Sequence, residues 1–353
     1  MGDKPIFEKK NVLVTGGAGF IGSQLCEKLI KDGARVICVD DFSSGVERNI
    51  DVLLKNPDFQ FIRTDINRDL DLEAYPELEA YKIPFQGIQE IYHLACPTAI
   101  KRFDALKVHT LKTNSIGTLN VLDIAEKYDS RVVFTSSSVV YGSREEGKLF
   151  FEEDDTGVVD HMTPRAVYDE GKRFSETCCF SYLQSRGVDV RIARVFRTYG
   201  PRMPLFDGHL IPDFIINALD GKPLLIYGNE DFKTSLVYVD DVVDGLIKLM
   251  EVDYNPGPVN IGSDVDLRMV DVANTIIALT ESSSQIQFEP PLPFLTELGL
   301  PKINKARDTL GWLPLIRLEH GIQKTMEDVR ANRILLTDVY NKKNGNRSNT
   351  SVQ

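Results

Sequence analysis

The stretch NVLVTGGAGFIG, Asn11 to Gly22, constrains this chain more than any other. Val12, Leu13 and Val14 read as a strand buried on both faces. A tight turn and an apolar, helix-like pattern follow. Gly16, Gly19 and Gly22 have the G-x-x-G-x-x-G spacing of a dinucleotide fingerprint. The first glycine allows the turn, the second lets a pyrophosphate approach the backbone, and the third lets the helix pack closely on the strand. Backbone N–H groups at the helix start, around Phe20 and Ile21, would face the phosphates. Glycine spacing alone also fits a plain tight turn, but the next strand adds a second signal. The apolar run Val36 to Val39 ends in Asp40, whose carboxylate would accept hydrogen bonds from adenosine ribose hydroxyls and repel a 2′-phosphate, so NAD is expected over NADP.

A chain of 353 residues suffices for one large core and a smaller second lobe. The net charge of −11, with no basic block before the tail, argues against nucleic acid or an anionic membrane as the main partner. Cys26, Cys38, Cys96, Cys178 and Cys179 lie in apolar or helical stretches without zinc-like spacing, so reduced core thiols and no metal site are expected. No apolar run approaches the roughly 18 to 20 residues of a membrane span, and the polar start MGDKPIFEKK lacks a signal pattern. A cytoplasmic enzyme is expected.

The order of elements predicts an α/β fold, a doubly wound parallel sheet with helices on both faces. A helix over Ser23–Lys31 is followed by strands at 36–39, Phe59–Arg63, Ile88–Ala95, Arg131–Phe134 and Val188–Val195. Long helices are expected over Leu111–Tyr128 and Val167–Ser185. From Arg197 the pattern becomes intermittent, with helices at 211–219, 240–250 and 270–279 and short strands at 224–227, 236–239 and 259–261. Residues 1–196 thus read as the cofactor-binding domain, to which later segments return, and 197–333 mainly as a substrate lobe. Pro290 to Pro301 reads as a surface crossing. Terminal helices are expected at 304–310 and 318–333, and residues 338–353 as a disordered tail. Ligands of such sheets lie at the carboxyl ends of strands. There, Asp65 would accept from the adenine amino group, with Ile66, Leu94 and Ala95 also at the cofactor.

Tyr168 and Lys172, four apart at a helix start, share one face. An ammonium group near a phenol favours the phenolate, so Tyr168 is expected to have a pKa lowered toward neutrality and to act as a general base. The hydroxyl residues Thr135 to Ser138, at a strand end, would lie opposite.

These residues sit in longer motifs: TGGAGFIG, HLACP from His93, KTNSIGTLNVL from Lys112, YDEGKR from Tyr168, RIARVFRTYGPRM from Arg191, and LGWLP with LEHGI near the end. Through them the chain resembles the extended short-chain dehydrogenase/reductases that modify nucleotide sugars, and within that group the UDP-glucuronate decarboxylases, over roughly residues 10 to 330. The resemblance implies an NAD that takes hydride from C4 of the sugar and returns it. It makes Tyr168 the base for the 4-hydroxyl, Lys172 the holder of the ribose, Ser137 a partner of the sugar oxygen, and Asn114 a brace for the backbone around the cofactor. Tyr227 would flank the uridine base, with Ser138, Arg197, Arg202 and Lys233 toward the substrate. The two long helices would pair across a twofold axis in a homodimer.

The chain departs from that pattern in three places. Val139 stands where the decarboxylases carry glutamate, and a small apolar residue there resembles the sugar 4-epimerases. The 4,6-dehydratases carry Asp-Glu where Ser138 and Val139 stand, so dehydration fits least. Arg197 replaces the usual asparagine and Thr234 the usual arginine; Arg197 either restores the lost diphosphate contact or is a solvated or paired arginine. Decarboxylation of UDP-glucuronate is the leading expectation, with 4-epimerisation next. A non-catalytic nucleotide-binding protein is the alternative of another class.

Overall fold

The computed structural model describes residues 9–98, 100–144, 147–291 and 298–348, with side chains as far as Arg333. Its centre is a seven-stranded parallel sheet. The strands are β1 (Asn11–Thr15), β2 (Arg35–Asp40), β3 (Phe59–Arg63), β4 (Glu90–His93), β5 (Arg131–Ser137), β6 (Val190–Val195) and β7 (Val259–Ile261), in spatial order β7-β6-β5-β4-β1-β2-β3. The order reverses between β1 and β4, which opens a crevice at the strand ends where such sheets bind ligands. β1 is buried along its whole length, as its unbroken apolar run requires of a strand covered on both faces.

Helices cover both faces. α1 (Phe20–Lys31) packs against α6 (Val239–Glu251) on one side. On the other, α2 (Phe103–Lys112) and α3 (Thr118–Tyr128) pack against α4 (Ala166–Arg186). α2 and α3 form one continuous rod joined by a wide turn at Thr113–Gly117, where Ser175 Oγ donates to the Asn114 carbonyl at 2.7 Å. This rod begins eight residues before the expected Leu111, because residues 103–110 form helix without burying an apolar face.

The second lobe contains α5 (Leu210–Leu219) and α7 (Met269–Thr280), packed on each other beside the strand Leu224–Tyr227. The closing motif is anchored to α6: Trp312 is fully buried and its Nε1 donates to the Asp241 carbonyl at 2.8 Å, while the Asp241 carboxylate accepts from Leu315 and Ile316 N–H. α8 spans Asn304–Leu310 and α9 spans Leu318–Ser348. α9 runs past the expected stop at Arg333 into the stretch read as a disordered tail; no proline interrupts it and its backbone hydrogen bonds continue without an apolar face. Residues 349–353, and residues 292–297 of the proline-rich crossing, lie outside the described residues. Among the described residues, no helix is long and apolar enough to cross a membrane.

Candidate active site

A cavity of about 800 Å³ opens at the carboxyl ends of β1 to β6 and extends beneath the second lobe. Its floor is the glycine turn. Gly16 has φ of +73°, and a Cβ there would lie 2.7 Å from Ala95 N; at Gly22 a Cβ would lie 2.2 Å from the Gly16 carbonyl oxygen. Both positions therefore exclude any side chain, so α1 starts hard against β1 with its N–H groups facing the cavity. Gly19, Phe20 and Ile21 line it as expected.

Asp40 ends β2 at the cavity wall. Its Oδ2 accepts from Ala18 N–H at 3.0 Å and its Oδ1 from Phe42 N–H at 2.8 Å, which aims the carboxylate and leaves lone pairs for a ribose. Burial raises the carboxyl above its ordinary value, with the Phe42 and Ala18 N–H groups pulling the other way. Asp65, Ile66, Leu94 and Ala95 also line the cavity. Asp65 already has company: its Oδ1 accepts from Asn67 N–H, and its Oδ2 lies 3.9 Å from His109 Nδ1, whose Nε2 is 3.2 Å from Asp41. This set of groups, a glycine floor, an oriented carboxylate and an apolar slot beside it, fits a nicotinamide dinucleotide.

At the other end, Tyr168 and Ser137 line the cavity together. Lys172, one helical turn on, donates from Nζ to the Thr135 carbonyl at 2.8 Å and lies 4.9 Å from the Phe134 ring centroid. The expected lowering of the Tyr168 pKa is not found in the free protein. Burial pushes the phenol above its ordinary value, and Cys96 adds to this, with Ser137 opposing. Lys172, whose Nζ is directed to the Thr135 carbonyl, is not among the groups that shift the phenol.

Ser138, Arg197 and Tyr227 line the cavity, and so does Val139, at 5% exposure. Arg197 is half-buried and makes no ion pair among the described residues. Three expected residues do not line the cavity. Arg202 turns outward to Glu27. Lys233 is exposed and lies 3.6 Å from Asp266. Asn114 is 1% exposed and braces the wall, its Nδ2 donating to the Thr110 carbonyl at 3.0 Å and lying 3.2 Å from Cys96 Sγ. Thr234 also lies off the cavity, buried with its hydroxyl toward the Ser235 carbonyl.

Cys96 and Arg165 are among the cavity residues that escaped the reading of the sequence. Cys96, taken for core, is half-buried at the cavity beside Tyr168. Arg165 lines the cavity three residues before Tyr168; that helical spacing was the available signal.

Residues 12–262 match the NAD dependent epimerase/dehydratase family. UDP-glucuronic acid decarboxylase 1 of Danio rerio is 39% identical over 320 residues, covering 91% of this chain and 72% of the relative. UDP-glucuronic acid decarboxylase 5 of Arabidopsis thaliana is 38% identical over 322 residues, covering 90% and 89%. Among solved structures, an epimerase from Methanothermobacter thermautotrophicus superimposes with a TM-score of 0.81 at 29% identity, covering 94% of this chain and 95% of that one. The UDP-glucuronic acid 4-epimerase of Bacillus cereus, in complex with UDP-glucuronic acid and NAD, gives 0.78 at 26% identity, covering 91% and 99%. The chain belongs to the NAD-dependent epimerase/dehydratase family: it is an enzyme whose cofactor is NAD.

Proposed function

We propose that this enzyme converts UDP-glucuronate to UDP-xylose through a transient 4-keto sugar. The observation that carries the reading is that Tyr168, Ser137 and Lys172 line one cavity with Asp40 and the glycine floor, Lys172 being fixed there by its bond to the Thr135 carbonyl. Identity of 38–39% with UDP-glucuronic acid decarboxylases over about nine-tenths of the chain supports the substrate. Bound NAD supplies a hydride acceptor that later returns the hydride to C4. Tyr168, as phenolate, takes the 4-hydroxyl proton while Ser137 orients that oxygen. The C4 ketone is then β to the C5 carboxylate, so the C5–carboxylate bond breaks, carbon dioxide leaves, and the electron pair is held as an enolate. C5 takes up a proton, and Tyr168 gives its proton back when C4 is reduced. Residues 197–333 supply Arg197 and Tyr227 to the substrate side, while Asn114 acts by bracing Cys96 and the wall rather than by contact.

The second reading, 4-epimerisation of UDP-glucuronate, is favoured by Val139, an apolar side chain where the decarboxylase pattern places a carboxylate. Incubation with UDP-glucuronate followed by mass analysis tests both. Loss of one carbon dioxide is expected; an isomer of unchanged mass supports the epimerase, and unchanged substrate overturns both.

The enzyme acts as a homodimer in this proposal, supported by the exposed apolar residues Val108, Leu111, Phe174 and Phe180 on α2 and α4. A monomer mass by light scattering at micromolar concentration would refute it. The five unpaired thiols support a reducing, cytoplasmic location.

A further inference from the structure

Two arginines reach the chemical end of the cavity from separate elements. Arg165 is the cap residue before α4, one helical turn ahead of Tyr168. Arg197 follows β6 two residues beyond Val195, whose register partner is Ser137. Both line the cavity with the Ser137–Tyr168 pair. Of the other arginines that are not exposed, Arg194 is forked onto Glu176, Arg191 holds Asp189 and Arg202 holds Glu27; Arg48, which also has a buried Nε without a partner, lies off this cavity. Among the described residues neither Arg165 nor Arg197 makes an ion pair, and Arg165 Nε is buried with no partner. Burial, and then the charge of Arg165, hold the Arg197 guanidinium below its ordinary value. Asp169, the acid beside Tyr168, is not within ion-pair distance of Arg165 and is itself pushed up to about 6 by burial. Two like charges that face one partly desolvated cavity are costly until an anion bridges them.

We infer that Arg165 and Arg197 together hold the carboxylate of the sugar, and so select a uronic acid over a neutral hexose. This rests on the reading of a UDP-glucuronate substrate, and deepens it. The chemistry of the pyranose decides between the two anions such a ligand carries. Tyr168 serves C4, and the carboxylate is borne by C5, the neighbouring carbon. The diphosphate is on C1, across the ring from C4. A guanidinium one helical turn from the base therefore meets the carboxylate. Two forks also satisfy both carboxylate oxygens, as charge-assisted pairs do best. The position of Arg197 beyond Ser137 adds the second fork from the adjacent strand, and it answers what the arginine at this position is for: the sugar, not the diphosphate.

The test is calorimetric binding to the full, NAD-loaded enzyme of two ligands with the same diphosphate, UDP-glucuronate and UDP-glucose. Arg165→Met and Arg197→Met are each expected to weaken UDP-glucuronate by about tenfold to a hundredfold and UDP-glucose by less than about threefold. Retained UDP-glucose binding shows that each variant is folded, and Arg197→Lys is expected to recover part of the loss. Equal losses for both ligands would make these arginines diphosphate contacts and overturn the inference while leaving a UDP-glucuronate enzyme in place. A wild-type enzyme that neither binds nor turns over UDP-glucuronate overturns the substrate reading itself, and the carboxylate site with it.

Discussion

Lys172 Nζ donates to the Thr135 carbonyl oxygen across 2.8 Å, tying the first half of α4 to the end of β5. The ammonium is thereby fixed beside the strand end that also carries Ser137, one helical turn from Tyr168. Its charge is available to Tyr168 only as part of the assembled site. Replacing Lys172 by methionine is expected to move the rising limb of the pH–rate profile up by about one unit or more, since the phenolate loses a cation. A profile unchanged in position would show that the lysine only holds the cofactor.

Tyr168→Phe keeps the ring and removes the proton acceptor. Binding of NAD and nucleotide sugar is expected to stay within about threefold, while turnover falls by about a hundredfold to ten-thousandfold. Single-turnover absorbance near 340 nm checks the hydride step directly, and near wild-type rates would place the base elsewhere.

If Asp40 holds the ribose, Asp40→Ala removes both that acceptor and the charge that would repel a 2′-phosphate. NAD affinity should fall and the preference over NADP should narrow. The Ala18 and Phe42 N–H groups also lose their acceptor, so a lower melting temperature should accompany the change. Unchanged affinity for both cofactors would refute the role.

Asp169 is 5% exposed with an unpartnered Oδ1, and burial first, with the Glu170 charge adding and Arg165 opposing, pushes its carboxyl up to about 6. A folded-state pKa above the ordinary value means that its contribution is most favourable below about pH 3.8 and is lost as pH rises through about 6. Asp169→Asn is therefore expected to raise stability at pH 7.5 by on the order of 2 kcal/mol, with the gap closing by pH 4. Thermal unfolding at the two pH values measures it; a gap that widens toward acid would contradict the sign.

Gly22→Ala would place a methyl group 2.2 Å from the Gly16 carbonyl. Since that contact is with backbone, the turn itself must shift, at a cost of about 1 to 3 kcal/mol. Loss of bound NAD together with a lower melting temperature is expected, and retention of both would mean the helix has room to retreat.

Local pattern determined much of this protein. The unbroken apolar runs of β1 and β2, the glycine spacing between β1 and α1, and the four-residue interval of Tyr168 and Lys172 are readable in windows of a dozen residues, because strand and helix periods are local properties. They suffice for the sheet, for the glycine floor of the cavity and for the Tyr168–Lys172 pair. Tertiary structure decided which charged groups face the cavity. Arg202 and Lys233 stand beside family motifs, yet Glu27, 175 residues away in sequence, claims the first and Asp266 the second. Asn114 was drawn into the wall by Thr110 and Ser175, Cys96 was left at the cavity edge, and the phenol of Tyr168 was raised by burial. Arg165 and Arg197 line one cavity because the start of α4 and the end of β6 both open on it. No window contains such facts: the partner of a charge is set by packing across the chain, and desolvation by everything that covers it.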